Sequence, residues 1–262
     1  MTHPSSLAET LDLDVEVLHE YHRDLIDWVA SATVDRPRVV DLGAGTGTGA
    51  VALARRLPRA EVYAVDVSDE MLAHLRRRAD EAGVGDRVHT VRADLDQPWP
   101  DLGPADLMWA AASLHHVGDP GRVLGQAHAL LRPGGVLAVA ELDSFPRFLA
   151  DPAGAALEER CHAALARMRR ERGMHLDADW GALLAGAGFA VEATRRTDLA
   201  LDPPLPAATG RYALVSLQRM RHGLDGRVGA ADLAALDAYA ADLDRADLRV
   251  RATRTVWLAR RP

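Results

Sequence analysis

Short, mainly apolar stretches alternate with amphipathic ones between residues 38 and 142 of the chain. Apolar stretches of this length are typical of strands that are buried on both faces of a parallel sheet. Between them, apolar residues recur at helical spacing, as Met71, Leu72 and Leu75 do after Ser68, which we predict to be an N-cap. The strands predicted in this region are 38–42, 61–67, 87–94, 105–112 and 135–142.

The pattern differs toward the two ends of the chain. Residues 14–34 have apolar residues at helical spacing and predict a single helix, capped by Asp12 or Asp14. Further along, the pattern predicts helices within 153–186 and 207–245 and long strands at 189–201 and 248–261. This order predicts an α/β fold with a Rossmann-like, doubly wound and mostly parallel sheet, an antiparallel C-terminal strand, and N-terminal and inserted helical caps.

The composition is that of a globular protein with excess negative charge. The 262 residues carry a formal net charge of −7, which argues against nucleic acid as the main partner because phosphates would be repelled. All 31 basic residues are arginine, so a lysine base or Schiff base is excluded, and this usage is typical of a GC-rich bacterium. The single cysteine, Cys161, fits a reducing cytoplasm. No stretch reaches the roughly 18 apolar residues of a membrane span, so we expect a cytoplasmic protein with no membrane partner.

A glycine-rich segment, VVDLGAGTGTG at 39–49, lies between the first predicted strand and the next helix. Glycine lets a backbone turn sharply and approach a ligand closely, so the segment predicts a nucleotide or nucleoside site. Residues 45–50 also satisfy the dinucleotide pattern G-x-G-x-x-A, and Asp66 stands near the position of a ribose-binding acid. A dinucleotide therefore remains an alternative on this motif alone.

Acidic residues stand at the ends of three successive predicted strands, at Asp41, Asp66 and Asp94. In a doubly wound sheet the carboxyl ends of the strands converge on one cleft. Asp41 directly precedes the tight turn, where it would repel a pyrophosphate and attract an amine or a sulfonium. Three carboxylates at this cleft favour a ligand with an amino group, a ribose diol and an adenine amine.

The chain resembles the class I S-adenosylmethionine (SAM)-dependent methyltransferases over residues 38–148, and more loosely over the C-terminal strand pair. The stretches that carry the resemblance are DLGAGTG (41–47), VYAVDVS (62–68), VRADL (91–95), ADLMWAAASLHHVGDP (105–120) and LRPGGVLAVAE (131–141). The LHHV-x-DP turn is similar to that of small-molecule methyltransferases related to the quinone C-methyltransferases. The resemblance implies in-line methyl transfer from SAM to a small molecule, with S-adenosylhomocysteine as the product.

The resemblance also implies which residues hold the cofactor. Asp41 would lie near the methionine ammonium, Asp66 would bind the ribose hydroxyls, and Asp94 would accept from the adenine amine. A helix cap or a loop acid is the alternative role for Asp41 and Asp66. The implied cofactor-binding residues are Asp41, Gly43, Ala44, Gly45, Thr46, Gly47, Asp66, Val67, Met71, Asp94, Leu95, Ala110 and Ala111.

On the acceptor side, His115 and His116 are the candidate general bases, because histidine titrates near neutral pH. The alternative is that they only pack or hydrogen-bond at the turn. Specificity is expected from the variable segments. The candidate substrate residues are Tyr21, Trp28, Glu141, Phe145, Arg211 and Tyr212, and no metal is part of the predicted site. Arg169, Arg170 and Arg172 are interpreted as a solvated face.

We predict an N-terminal helical lid at 1–36, a SAM-binding Rossmann-like core at 37–150, and a C-terminal half of the same domain at 151–262 with a helical insertion at about 203–245. The expected function is methylation of a small molecule, in secondary metabolism. Three alternatives stay open: a protein or peptide methyltransferase, an NAD(P)-dependent oxidoreductase, and a SAM-binding protein without turnover. A homodimer is also left open.

Overall fold

The computed structural model describes residues 4–243 and 246–262, with side chains from residue 7 onward. The strands are β1 (Arg38–Leu42), β2 (Glu61–Asp66), β3 (Val88–Arg92), β4 (Ala105–Ala111), β5 (Leu131–Leu149), β6 (Ala190–Leu201) and β7 (Leu248–Arg260). The helices are α1 (Pro4–Val17), α2 (His19–Ser31), α3 (Thr48–Arg56), α4 (Asp69–Glu81), α5 (Pro120–Leu130), α6 (Pro152–Glu171), α7 (Trp180–Gly186), α8 (Thr209–Gly223) and α9 (Ala230–Ala241). A 3-10 turn spans Leu114–His116.

Within the described residues, seven strands form one sheet in the order β3-β2-β1-β4-β5-β7-β6. The first five pair in parallel, and β1 lies between β2 and β4, with Asp41 level with Ala64 on one side and Trp109 on the other. β7 is antiparallel to β5, because the two strands exchange backbone hydrogen bonds between residues 134–135 and Arg261. The predicted α/β fold with a doubly wound sheet and an antiparallel C-terminal strand is confirmed.

Contacts divide the chain into two compact units. Unit 1 comprises 1–19, 142–176 and 197–254, and unit 2 comprises 20–141, 177–196 and 255–262. The boundaries predicted at residues 36 and 150 stay predictions, as does the insertion at 203–245. Residues 1–3 of the predicted lid and residues 244–245 of the predicted insertion lie outside the described residues.

The core of unit 2 covers both faces of its sheet. On one face Val39, Leu107 and Ala138 pack against residues of α2, α3 and α4, and on the other Val40 and Met108 pack against residues of α5 and α7. Neighbouring residues of one strand alternate between the two faces, so an almost wholly apolar strand is required wherever both faces are covered. Each fully buried aliphatic side chain contributes roughly 1.5–3 kcal/mol to this packing.

Two predicted elements need correction. The helix predicted at 14–34 consists of two helices, α1 and α2, and begins ten residues earlier, at Pro4. Asp12 and Asp14 therefore lie inside α1, and the prediction that one of them caps the helix is wrong. The acidic residues of α1 obscure its apolar positions, of which Leu13 and Val17 are buried one turn apart.

The second correction concerns β5, which was predicted at 135–142 and extends from Leu131 to Leu149. The additional residues lie beside β7, and hydrogen bonds flank the two ends of the pairing: the Gly134 N–H donates to the Arg261 carbonyl and the Ala150 N–H donates to the Asp247 carbonyl. This pairing is between residues more than 90 positions apart, so local sequence cannot show it.

Unit 1 is built mainly from helices. α1 packs against α8, and α8 packs against α6 and α9. The Tyr212 hydroxyl donates to Asp14 at 2.5 Å, and the same carboxylate receives Arg254 at 3.2 Å. Across the described part of the chain, no helix has both the length and the apolar character that a membrane crossing requires.

Candidate functional site

The glycine-rich loop after β1 is held by hydrogen bonds from its own backbone. The N–H groups of Gly43 and Ala44 both donate to the Val65 carbonyl at 2.9 Å, and the Gly45 N–H donates to the Asp66 Oδ2 at 2.8 Å. Three successive loop amides are thus satisfied within the protein. A pyrophosphate is held by loop and helix N–H groups that are free to donate, so this loop does not favour a dinucleotide.

Two loop positions require glycine for steric reasons. Gly43 has φ +72°, and a Cβ on it would lie 2.6 Å from the Cβ of Ser113. Gly47 has φ +81°, and a Cβ there would overlap the side chain of Leu75. Because both positions combine a left-handed backbone with a close neighbour, any side chain would displace the loop from β4 or from α4.

Asp41, at the end of β1, is the most unusual acid of unit 2. It is 2% exposed, and its Oδ2 is buried with no hydrogen-bond partner among the described residues. The carboxylate faces the start of α3, since a Cβ on Gly49 would lie 3.3 Å from Oδ2. Burial raises the pKa of Asp41 to about 7, the nearby Ala50 N–H lowers it, and the charge of Asp66 raises it further. An acid at this helix start would repel a phosphate.

Asp66, at the end of β2, connects the glycine loop to the start of α4. Its Oδ2 accepts from the Gly45 N–H at 2.8 Å and its Oδ1 accepts from the Ser68 N–H at 2.9 Å. Ser68 is the N-cap of α4, as predicted, and its hydroxyl accepts from the Met71 N–H. Asp66 therefore has the loop-acid role that was considered for it, and its predicted contact with a ribose stays a prediction.

The residues expected around the nucleoside differ in accessibility. Val67 is 60% exposed although it is apolar, and Asp94 is also exposed, with its Oδ1 accepting from the Asp96 N–H at 2.9 Å. Leu95 is half-buried, whereas Met71 is buried at the start of α4. Val67 and Asp94 follow the neighbouring strands β2 and β3, so the accessible residues of the predicted nucleoside site share one edge of the sheet.

Several predicted cofactor residues lie in the core. Ala110 is fully buried, and Ala44, Thr46 and Gly47 are also buried, so the accessible loop positions are Gly43 and Gly45. Of the predicted alanine pair, only Ala111 is half-buried.

The next residue, Ala112, has φ +50°, which is rare for a residue with a Cβ. Its N–H donates to the Ala140 carbonyl at 2.8 Å, so β4 ends in a strained turn immediately before Ser113 and the histidine pair.

His115 and Glu141 form a buried pair, with each side chain 5% exposed. The His115 Nδ1 lies 2.6 Å from the Glu141 Oε2, while the Glu141 Oε1 accepts from the N–H groups of Leu114 and His115. A His115 Nδ1–H that donates to this carboxylate leaves Nε2 as the acceptor of the neutral ring. The ring of His116 lies against that of His115, with centroids 4.2 Å apart.

Of the candidate substrate residues in unit 2, Tyr21 and Trp28 both pack against the core and are half-buried. The guanidinium of Arg195 covers the Trp28 ring at 3.9 Å from its centroid. Glu141 is the partner of His115 described above and is not a surface acid. Trp28 and Glu141 therefore make specific contacts with other protein side chains.

Of the candidates in unit 1, Tyr212 is buried in the core with its hydroxyl bonded to Asp14, so its side chain is not open to a substrate. Arg211 is exposed and pairs with Glu9 at 2.6 Å. Phe145 is half-buried beneath the guanidinium of Arg169, 3.9 Å from the ring centroid. The interpretation of the arginine run as a solvated face is thus wrong at Arg169, because that position lies on the inner face of α6.

Sequence reasoning missed Ser113 and Arg195. Ser113 packs against Gly43, and its hydroxyl donates to the Leu42 carbonyl at 2.7 Å, which ties the end of β4 to the end of β1. A polar residue directly after an apolar strand was the available signal for Ser113. Arg195 had no such signal, because its contact with Trp28 joins residues far apart in the chain.

Comparison with known proteins agrees with this geometry. A family profile for a methyltransferase domain matches residues 39–135. The 27-O-demethylrifamycin SV methyltransferase of Amycolatopsis mediterranei is 32% identical over 191 residues, covering 71% of this chain and 65% of that protein. The trans-aconitate 2-methyltransferase of Azoarcus sp. is 32% identical over 182 residues, covering 70% of this chain and 56% of that protein. The chain thus spans about two thirds or less of the length of these curated relatives.

Among solved structures, the [4+2]-cyclase SpnF has the same fold, with a TM-score of 0.55 and 24% identity over 92% of this chain and 81% of that chain. The match of the profile begins at β1 and covers the glycine loop, Asp66, Asp94 and the histidine turn. Residues 39–135 thus match a methyltransferase domain, in agreement with the resemblance of this part of the chain to the class I SAM-dependent methyltransferases.

Proposed function

We propose that this protein transfers a methyl group from SAM to a small-molecule acceptor and releases S-adenosylhomocysteine. The observation that carries the proposal is the buried carboxylate of Asp41, whose Oδ2 has no donor among the described residues. Next to it, the amides of Gly43, Ala44 and Gly45 are already bonded within the protein. A cationic ammonium group would pair with this carboxylate. A pyrophosphate would be repelled by the carboxylate and would find none of these three amides free to donate. SAM therefore fits these residues better than NAD(P) does.

The proposed cofactor contacts follow the accessible residues at this edge of the sheet. Asp41 binds the methionine ammonium, Asp66 binds the ribose hydroxyls with the lone pairs that the loop leaves free, and Asp94 accepts from the adenine amine. Val67 supplies an exposed apolar surface for the nucleoside. Gly43 and Gly45 line the methionine moiety, since they are the accessible glycines of the loop.

The binding part of the proposal is tested with Asp66→Ala in calorimetry. We expect SAM binding to weaken by roughly 1–3 kcal/mol, because ribose hydroxyls would lose their acceptor. Glu70→Ala, which removes an exposed carboxylate four residues away, is the control and should leave the affinity unchanged. Equal affinities for SAM in both variants, or tighter binding of NAD(H) than of SAM, would contradict the site.

When bound, SAM supplies a methyl group that is already activated, so the protein mainly has to position the acceptor and exclude water. For an acceptor that loses a proton, we propose that His115 is the general base. Glu141 holds the Nδ1 proton at 2.6 Å and so orients Nε2 as the acceptor. His116 is the second candidate, because its ring lies against that of His115.

The role of His115 is tested with His115→Gln, measured as S-adenosylhomocysteine formation. With a phenol or carbon acid as acceptor, we expect kcat to fall by roughly 10²–10⁴-fold while SAM affinity is kept. Glu141→Gln retains the shape of its side chain and should alter the pH profile more than the KM. An unchanged kcat in His115→Gln would mean that His115 is not the general base and only packs at the turn.

The acceptor is proposed to be a small molecule because two relatives that align over about 70% of this chain are named for rifamycin and trans-aconitate. The segments proposed to select it are the N-terminal helices, 145–180 and 203–245, where Arg211 is accessible. A cytoplasmic enzyme of bacterial secondary metabolism is the setting that the arginine-only usage and the single Cys161 support. A protein acceptor is not favoured by these relatives.

A second candidate function is SAM binding without methyl transfer, since the fold is shared with a [4+2]-cyclase. A broad acceptor screen separates the two functions. S-adenosylhomocysteine formed in proportion to a methylated product supports methyl transfer. Intact SAM binding, with no S-adenosylhomocysteine formed for any acceptor, supports the second function.

A further inference from the structure

A cluster of cationic and aromatic side chains in unit 1 lies within the segments 145–180 and 203–245, which are proposed to select the acceptor, and no contact with the acceptor has yet been assigned to it. α6 contributes His162 and Arg169, which are seven residues apart and therefore share one helix face, and α8 contributes Arg219. Phe145, near the end of β5, lies between the two residues of α6. Its ring is parallel to that of His162 within 9°, with centroids 6.3 Å apart, and lies 3.9 Å below the guanidinium of Arg169.

The two guanidinium groups lack the partners that arginine usually finds. The Nη1 atoms of Arg169 and Arg219 are both buried, and neither has a hydrogen-bond partner among the described residues. Elsewhere in unit 1, Arg254 is buried but pairs with Asp14 at 3.2 Å. Both residues are half-buried, and removing a cation from water is unfavourable unless it is paired, so the unpaired Nη1 atoms of Arg169 and Arg219 need an explanation.

The pKa values show the same lack of counter-charge. Burial lowers the pKa of Arg169 to about 10, and the charge of Arg219 lowers it further. Burial also lowers the pKa of Arg219, and the group that opposes this shift is the hydroxyl of Tyr212. For His162, burial and the charges of Arg147 and Arg169 lower the pKa to about 4. The Pro146 carbonyl opposes this shift, although neither ring nitrogen has a partner in hydrogen-bond geometry.

These features describe a cationic cluster with the flat face of one aromatic ring on one side. His162 is neutral at physiological pH, so it can donate or accept one hydrogen bond without adding charge. The two arginines together present donors in fixed planes, which suit a planar oxyanion bound in a bidentate way. Phe145 offers a ring face to the apolar part of the same ligand.

We propose that Arg169 and Arg219 form an oxyanion-binding site in unit 1, with Phe145 as its apolar wall, which takes a small organic carboxylate. The proposal deepens the proposed function, because these residues lie in the segments proposed to select the acceptor, but its test requires neither SAM nor methyl transfer, so the two can fail separately. An anion placed between the two guanidinium groups removes their mutual repulsion and supplies the acceptors that both Nη1 atoms lack.

The test measures benzoate binding to the full chain in the absence of SAM, by calorimetry or by ligand-observed NMR. Benzamide has nearly the same shape without the charge, so it is the matched control ligand. We expect saturable benzoate binding at least tenfold tighter than that of benzamide. Equal affinities for the two ligands would overturn the oxyanion site, and tighter binding of inorganic phosphate than of benzoate would overturn the carboxylate assignment.

Three variants locate the site. Arg169→Gln and Arg219→Gln are each expected to weaken benzoate binding at least tenfold, whereas Arg167→Gln, which removes the same charge from an exposed position of α6, leaves it unchanged. Retained benzoate affinity in both of the first two variants would overturn the proposal.

A further measurement separates a ligand site from a structural role. Arg219→Met removes one of two half-buried like charges, so we expect its Tm in ligand-free buffer to be equal to or higher than that of the wild type. A structural guanidinium would give a lower Tm. The loss of the benzoate-induced rise in Tm in this variant, together with an undiminished ligand-free Tm, supports the proposal, and a lower ligand-free Tm contradicts it.

Discussion

Asp41 and Glu158 are both buried carboxyl groups, one in each unit, and burial raises the pKa of each to about 7. Their hydrogen bonds differ. Glu158, on α6, accepts from the Phe148 N–H at 2.9 and 3.0 Å and from the Leu149 N–H at 2.9 Å. Asp41, at the end of β1, has a buried oxygen with no partner among the described residues.

The comparison shows that a raised pKa alone does not mark a functional acid. Glu158 accepts hydrogen bonds from two backbone N–H groups at the end of β5. Without Glu158 these buried N–H groups would have no acceptor. The Oδ2 of Asp41 has no hydrogen-bond partner among the described residues, and the one backbone group that acts on this carboxyl is the Ala50 N–H, which lowers its pKa. The first arrangement stabilises the fold, and the second is the one that we propose a ligand completes.

The largest expected effect tests the structural side of this comparison. Glu158→Ala leaves the N–H groups of Phe148 and Leu149 without acceptors, so we expect the free energy of unfolding to fall by about 2–6 kcal/mol. The measurement is urea denaturation followed by circular dichroism. Glu158→Gln keeps one carbonyl oxygen for these N–H groups and should lose less than half as much stability. Similar losses in the two variants would mean that packing, and not hydrogen bonding, is the role of Glu158.

The next effect concerns the stability of the protein around Asp41. Its pKa is about 7 in the folded state against an ordinary value of 3.8, so the folded state binds the proton more tightly. Stability from this group is therefore full below pH 3.8 and is lost as pH rises toward 7. We expect the free energy of unfolding of Asp41→Asn, relative to the wild type, to rise by roughly 1–4 kcal/mol between pH 4 and pH 8.

Asp24→Asn, at an exposed position, is the control for this experiment. Its difference from the wild type should stay within about 0.5 kcal/mol over the same pH range. If the difference in free energy of unfolding between Asp41→Asn and the wild type is also independent of pH, the Asp41 carboxyl is ionised at low cost. The contrast drawn here between Asp41 and Glu158 would then be wrong.

A third prediction concerns SAM affinity. If the ammonium of SAM completes Asp41, the carboxyl must lose its proton on binding, so affinity should fall by up to about tenfold per pH unit below pH 7. Asp41→Asn should bind SAM roughly 10–100-fold more weakly at pH 8 and lose most of this pH dependence. Calorimetry across pH 5.5–8 measures both. Wild-type affinity and pH dependence in Asp41→Asn would remove Asp41 from the site.

Much of this fold could be predicted from the sequence where local pattern and tertiary packing agree. β1, β2 and β4 are apolar strands covered on both faces, and Ser68 and the following helix α4 behave as their caps and periodicity predict. β5 and α1 were less predictable. The length of β5 depends on pairing with β7, and the apolar positions of α1 lie among acids that resemble a solvated segment.

The candidate site divides in the same way. Asp41, Asp66 and Asp94 were predictable because each ends a strand and the ends of parallel strands converge. Ala110 is buried by helices that pack on its face of β4, and the Tyr212 hydroxyl donates to Asp14, 198 residues away in the chain. Neither leaves a signal in the local sequence. The accessible part of a site is harder to predict than its location along the chain.

The smallest effect tests which surface binds the nucleoside. Val67 is 60% exposed beside Asp66, and Val34 is 55% exposed between α2 and β1, so these two valines are matched in type and in exposure. Val67→Ala should weaken SAM binding by about 0.5–1.5 kcal/mol, because two methyl groups would no longer be buried by the ligand. Val34→Ala should leave it unchanged, and neither variant should alter the free energy of unfolding by more than about 0.5 kcal/mol. The valine change leaves the charge of Asp41 in place, so it tests the apolar contact alone. A weaker SAM affinity in Val67→Ala, with no change in Val34→Ala, assigns this contact to the end of β2. An equal loss of affinity in Val34→Ala would mean that the nucleoside binds elsewhere.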